Sequence, residues 1–258
     1  MASLKKRKTA GHDELQAEHW DRFAGRLPSV NLSYPAILER ESFFEFAGLG
    51  EKALTILEIG CGTGRYTLAL LERGHRVIAT DVSQKSLDCL RDSAAARGLV
   101  EHLSLERNSF EEAEACQKYF NEVDLVLCVN VIHHFHPQKR EQIFSNMVKS
   151  VKKGGAVVAM EPNPLNPFYY PLFSWNEITN ADTDRWATDK GILRTSLPSL
   201  RRLFQGAGLA EIQFRRYALF PSRFGVRFRF ILGLNEFLLK LPLIKNMSLF
   251  TWIKGGKV

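Results

Sequence analysis

The sequence predicts an α/β protein built on a doubly wound, mainly parallel sheet. Three observations carry this expectation. The strands are short and apolar throughout, the segments between them have helical spacing, and a glycine-rich break, "LEIGCGTG" (57–64), follows the first strand. Strands that are apolar on both sides are buried on both faces, and their alternation with helices implies parallel crossovers. Right-handed crossovers bring the strand ends to one edge, where such sheets bind their ligands.

Each element follows from its pattern. Two amphipathic stretches, 15–27 and 35–49, read as helices. Then "LTILEI" (54–59) is a strand and "RYTLALLERG" (65–74) a helix closed by Gly74. "RVIATD" (76–81) is a strand, and 83–98 is a helix with Ser83 as its N-cap and Gly98 past its end. A strand at 103–108, an acidic helix at 111–119, an apolar strand at 123–132, a helix at 137–152 and a fifth strand at 154–161 complete the alternation. Binding chemistry is therefore expected after residues 59, 81, 108, 130 and 161. Beyond 162 a proline-rich aromatic loop precedes a helix (196–208), a strand (209–220) and a final strand (249–255). The chain divides into a basic tail with N-terminal helices (1–50), a core (51–162) and a C-terminal region (163–258).

Composition sets the outer limits. The 258 residues are 45% hydrophobic and 24% charged, ordinary for a globular chain. The four cysteines show no CxxC pair and no His/Cys ligand spacing, so reduced thiols in a cytoplasmic setting are expected, with no structural metal. The N-terminus is basic but has no apolar run behind it, and no stretch is long and apolar enough for a membrane span. The net charge of +7 is uneven: residues 185–258 hold 14 Lys/Arg against 3 Asp/Glu, and residues 1–184 hold 21 against 25. The basic surplus in the last third suggests either an anionic partner or a solvated surface.

The glycine break sorts the cofactor classes. A dinucleotide turn has the spacing G-x-G-x-x-G, which seats a pyrophosphate at the helix N-terminus. Here Gly60, Gly62 and Gly64 have the spacing G-x-G-x-G, and Glu58 stands two residues before the first of them. An acid there disfavours a pyrophosphate and suits an ammonium group. Asp81, at the end of the second strand, is suited to accept hydrogen bonds from both ribose hydroxyls.

"LEIGCGTG" followed by "VIATDVS" resembles the signature of class I S-adenosylmethionine-dependent methyltransferases, most nearly the small-molecule group that includes quinone-biosynthesis enzymes. The resemblance covers residues 50–162 well. It implies a Rossmann-like seven-stranded sheet, mostly parallel with an antiparallel last strand, under N-terminal lid helices and a C-terminal substrate-covering insertion. It implies S-adenosyl-L-methionine as cofactor, with Gly60, Gly62 and Gly64 near the methionine moiety and Glu58 supporting the loop and the ammonium side. Asp81 would hold the ribose and Val82 would pack on the adenine. Asn108 and Ser109 match the adenine-edge position, where the family more often has Asp at 108. Asn130 would reach the amino end, and Trp20, with Phe23 on the same helical face, would close a lid.

For catalysis, "NVIHHFHPQ" offers His133, His134 and His136 after the fourth strand, and Glu161 ends the fifth. A histidine can take a proton from an acceptor, but such a pair can equally cap and pack the turn. Glu161 reads either as an acceptor-orienting acid or as a loop anchor. The aromatic loop containing Phe168, Tyr169, Tyr170, Phe173 and Trp175 suits a planar or greasy acceptor. The basic-aromatic stretch 222–245 suits an anionic membrane surface, nucleic-acid phosphates, or a helix that caps the pocket. The function expected is methylation of a small or lipid-like acceptor on oxygen or carbon. The rivals are an RNA-modifying methyltransferase and a non-catalytic binding protein of the same fold.

Overall fold

The computed structural model describes residues 12–24, 34–169, 190–219 and 229–258. Two helices, α1 (His12–Ala24) and α2 (Tyr34–Ala47), precede the alternating core. That core runs β1 (Thr55–Ile59), α3 (Thr67–Glu72), β2 (Arg76–Asp81), α4 (Gln84–Ala95), β3 (Leu103–Arg107) and a short α5 (Ala113–Cys116). It continues with β4 (Val123–Val129), α6 (Arg140–Ser150) and β5 (Val151–Pro162). The C-terminal region adds α7 (Leu197–Gly206), β6 (Leu209–Tyr217), α8 (Arg229–Leu239) and β7 (Phe250–Lys257).

The seven strands form one sheet in the order β3-β2-β1-β4-β5-β7-β6. The first five strands pair in parallel, and β7 is antiparallel to both β5 and β6. The order reverses beside β1, where β1 leads to β2 on one side and pairs with β4 on the other. The crevice of a doubly wound sheet opens at such a reversal.

Side-chain alternation splits the core into two layers. Leu125 and Leu127 of β4 point to the layer containing Phe43, Phe44, Leu90 and Trp252, whereas Val126 and Cys128 point to the layer containing Phe110, Phe144 and Phe204. Strands with apolar side chains on both faces need both layers to be dry, as the continuous apolar runs predicted. Ser83 caps α4 by accepting a hydrogen bond from the Ser86 N–H at 3.0 Å.

Several expected elements begin or end elsewhere: the fifth strand begins at Val151, and the strand expected over 209–220 ends at Tyr217. The apolar run 123–132 is strand only to Val129, because Asn130 turns left-handed (φ 57°) and 132–134 forms a 3-10 turn. Asn tolerates that conformation better than most side chains. The acidic segment 111–119 is split between α5 and a 3-10 turn at Gln117–Tyr119. The side chain of Phe23, along with Tyr170, Phe173, Trp175 and 222–228, lies outside the described residues.

The glycine turn has two structural requirements. A Cβ on Gly60 (φ 68°) would meet Val131 Cγ2 at 2.4 Å, and one on Gly64 (φ 95°) would meet Leu90 Cδ1 at 2.4 Å. Gly64 thus lets the turn before α3 pack against Leu90 of α4. Gly64→Ala is expected to destabilise the fold by about 2–4 kcal/mol, from overpacking plus positive-φ strain. Urea denaturation of the variant beside the wild type measures this.

Candidate functional site

The C-terminal edge of the sheet holds a cavity of about 230 Å³. Its floor is the glycine turn (Ile59, Gly60, Gly62), and one wall comes from the β2 and β3 exits (Asp81, Val82, Asn108, Ser109). The β4 exit forms the other wall with Val131, Asn130, His134 and Phe135, and α1 closes over with Gln16 and Trp20. Eight of the ten residues expected to meet a cofactor therefore face one cavity. Glu58 and Gly64 do not.

Asp81 organises the floor. Its Oδ2 accepts the Gly62 N–H and its Oδ1 accepts the Ser83 N–H, both at 2.8 Å. One carboxylate therefore fixes the glycine turn and the start of α4. Burial raises its pKa, and the two backbone donors work against that rise. A carboxylate has about four lone-pair sites, so acceptor capacity remains toward the cavity. Gly62 (φ 53°) faces open space, since a Cβ there would meet nothing within 4 Å.

Strand parity explains Glu58. It lies on the same face of β1 as Ile56, turned under α3 and away from the cavity. There it is 2% exposed, and its Oε2 accepts the Thr67 hydroxyl at 2.6 Å. Burial pushes its pKa up to about 8, the Thr67 hydrogen bond opposes this, and Asp81 adds to it. Near neutrality the group is thus mostly a neutral clamp between β1 and α3. The sequence showed the acid but not which way it points.

The β3 exit is shaped by its own side chains. Asn108 Oδ1 accepts the Phe110 N–H at 2.7 Å, and Asn108 Nδ2 donates to the Ala115 carbonyl at 3.3 Å. Asn108 thus holds the turn that presents Ser109 to the cavity. At the β4 exit, Asn130 donates its N–H to the Met160 carbonyl at 2.8 Å. Its side-chain oxygen is buried with no partner among the described residues. Gln16 Oε1 is in the same condition on the facing helix.

Glu161 and His133 form a buried pair just behind this wall. The Glu161 carboxylate accepts the N–H groups of Val131 (2.9 Å), Ile132 (2.8 Å) and His133 (3.4 Å), and it lies 2.6 Å from His133 Nδ1. Glu161 therefore anchors the loop and also orients the imidazole. His133 does not line the cavity; its neighbour His134 does, and the two rings lie 3.9 Å apart. His136 points elsewhere and accepts the Gln138 N–H.

α1 is fastened over the opening. Its Asp21 accepts from the Ser83 hydroxyl and from the Lys85 N–H at 3.3 Å, placing a negative charge at the N-terminus of α4. Trp20 meets His134 edge to face at 5.5 Å, so the lid touches the β4 wall directly. Gln16, Ser86 and Phe135 were not singled out from sequence. A residue one helical turn before Trp20 was the available signal for Gln16.

The fold is a doubly wound α/β sheet with a cavity at the edge where its parallel strands end, and comparison with known proteins shows what it is similar to. Residues 56–155 match the family model described as a methyltransferase domain. The chain is 25% identical over 174 residues to the ubiquinone biosynthesis O-methyltransferase of Rickettsia akari, covering 66% of this chain and 64% of that one. The match thus spans less than two thirds of that relative's length. A SAM-dependent methyltransferase structure from Archaeoglobus fulgidus aligns with a TM-score of 0.61 at 16% identity, over 86% of this chain and 94% of that one. The geranyl diphosphate C-methyltransferase of Streptomyces coelicolor A3(2) aligns with a TM-score of 0.57 at 16% identity, over 86% and 79% of the two chains. Residues 56–155 thus match a methyltransferase domain, and the fold is the one seen in S-adenosylmethionine-dependent methyltransferases.

The Glu58 clamp has a pH signature. Its folded pKa of about 8 lies above the ordinary carboxylate value of 4.5, so its contribution to stability is complete below 4.5 and is lost as pH rises through 8. The slope is at most about 1.4 kcal/mol per pH unit. Glu58→Gln keeps an acceptor for Thr67 without the titration. The variant is expected to match the wild type in urea denaturation at about pH 5 and to exceed it by about pH 8.5.

Proposed function

We propose that the chain transfers the methyl group of S-adenosylmethionine to a small or lipid-like acceptor, on oxygen or carbon. The observation that carries this reading is the unpartnered side-chain oxygen of Asn130 in a cavity that also holds Asp81 and the open Gly62 turn. A buried acceptor without a donor costs roughly 1–3 kcal/mol, and a ligand ammonium would satisfy it. The cofactor fits these residues: Asp81 would take the ribose hydroxyls, Val82 and Phe135 the adenine, and Asn130 the amino end. The bare backbone at Gly62 leaves room for the chain between them.

When bound, S-adenosylmethionine supplies an electrophilic methyl on a sulfonium, which needs little further activation. The protein's task is then alignment and exclusion of water, which together are worth roughly 7–11 kcal/mol. Trp20 and Gln16, held by the Asp21 fastening, shield the opening. For an acceptor that must lose a proton, the proposed base is His133 of the buried Glu161–His133 pair, which stands directly behind the wall that His134 lines. Glu161 occupies its Nδ1, which leaves Nε2 to receive that proton. The acceptor class is supported by the similarity to a ubiquinone biosynthesis O-methyltransferase and a geranyl diphosphate C-methyltransferase, and by the exposed apolar side chains Phe237, Leu241, Leu243 and Met247 of the C-terminal region.

Calorimetric titration with S-adenosylhomocysteine, with NADH as control, tests the cofactor. The wild type binds S-adenosylhomocysteine and not NADH. Asp81→Ala weakens this by roughly 10- to 100-fold, the worth of two hydrogen bonds. Gly62→Ala weakens binding as well while costing the fold only about 1–2 kcal/mol, in contrast to Gly64→Ala. Equal binding by both variants would remove the cofactor reading of the cavity.

Radiolabelled methyl transfer into lipid, small-molecule and RNA fractions tests the acceptor and the base. Label is expected in the lipid or small-molecule fraction. His133→Ala is expected to lower the rate by roughly 10²- to 10⁴-fold with S-adenosylhomocysteine affinity unchanged. An unchanged rate in a folded variant would mean that the acceptor needs no base here.

A further inference from the structure

The segment after α8 carries a surface that cofactor binding does not use. Residues 237–247 run in successive turns, with the Lys240 N–H bonded to the Phe237 carbonyl and the Lys245 N–H to that of Leu241. Large apolar side chains face outward along it: Phe237 is 60% exposed, Leu241 38%, Leu243 84% and Met247 40%. Lys240 and Lys245 are exposed among them, and no Asp or Glu follows Glu236 in the chain.

This surface is held in place. Asn235, buried in α8, accepts the Leu219 N–H through its side chain at 2.6 Å, which ties the helix to the end of β6. At the exit of β5, Asn163 Nδ2 donates to the carbonyls of Asn246 and Ser248, and Asn166 Nδ2 donates to those of Met247 and Leu219. Between these two asparagines stands Leu165, 55% exposed. The apolar turns are therefore fixed at the edge of the sheet where β5 ends, the same edge that holds the cofactor cavity.

We infer that this surface docks the protein on an anionic lipid bilayer, with Leu165, Leu241, Leu243 and Met247 entering the interface and Lys240 and Lys245 meeting the headgroups. Charge decides among the occupants. Two lysines set among exposed aliphatic residues, with no acid in the last 22 residues, match a negatively charged apolar boundary. A second copy would bring like charges together on symmetric docking, which opposes self-association through this patch. Among the described residues no helix is long and apolar enough to cross a membrane, so the contact is with the surface. The inference deepens the reading of a lipid-like acceptor and rests on it for its purpose: a bilayer at this edge delivers such an acceptor beside the site.

Co-sedimentation of the full chain with vesicles, in the absence of cofactor, tests the surface. Vesicles of phosphatidylcholine alone are compared with vesicles of phosphatidylcholine and phosphatidylglycerol. The protein is expected to sediment with the anionic vesicles and to be released by salt. Leu243→Asp is expected to lower partitioning by roughly tenfold or more, and Lys240→Glu with Lys245→Glu to lower it similarly. Both variants are expected to keep their thermal midpoints and their affinity for S-adenosylhomocysteine. A wild type that stays in the supernatant, or variants that partition as the wild type does, would overturn the inference. So would a dimer, seen by sedimentation velocity, that Leu243→Asp dissolves. Failure of S-adenosylhomocysteine binding would instead strike the methyltransferase reading and leave the vesicle result standing.

Discussion

The site depends on one buried carboxylate. Asp81 holds the Gly62 N–H on one oxygen and the Ser83 N–H on the other, each at 2.8 Å. The first contact sets the glycine turn and the second sets the start of α4. Ser83 then caps that helix through Ser86 and donates its hydroxyl to Asp21 of the lid. Floor, helix and lid are thus linked in series through a single strand-end acid. Side chains on separate elements couple when they share hydrogen-bond partners, so a change at Asp81 is felt across the whole opening.

The opposite wall follows the same logic with a second carboxylate. Glu161 collects three backbone N–H groups from the β4 exit and one imidazole nitrogen. Those contacts peel the chain off the sheet after Val129 and turn Asn130 into the cavity. An acid at the end of β2 and another at the end of β5 therefore shape the two loops that face each other. Each is buried and multiply hydrogen-bonded, the condition under which a carboxylate stays inside a protein without large cost.

The sequence made the sheet legible because continuous apolar strands alternating with helices admit few architectures. It made most of the cavity legible because strand ends converge on one edge, so Asp81, Asn108 and Asn130 had to be neighbours. What it hid was orientation. Glu58 looked like a cavity acid, yet strand parity turns it beneath α3 to Thr67. Gly64 looked like a ligand contact, yet Leu90 is what requires it to be glycine. Val131 and Ile132 looked like strand, yet Glu161 draws them into a turn. In each case a long-range partner decides, and such partners leave no local pattern. Gln16 and Phe135 were missed for the same reason: helix docking, not spacing, brings them in.

The central claim is that the Gly62 turn, Asp81 and Asn130 together hold S-adenosylmethionine. A crystal structure with S-adenosylhomocysteine tests it most directly. The account predicts the ligand in the cavity between the glycine turn and Trp20. Its ribose hydroxyls would lie within hydrogen-bond distance of Asp81, and its amino group would meet the Asn130 side chain. A ligand bound elsewhere, or one in the cavity that left Asn130 and Asp81 without contact, would contradict the account.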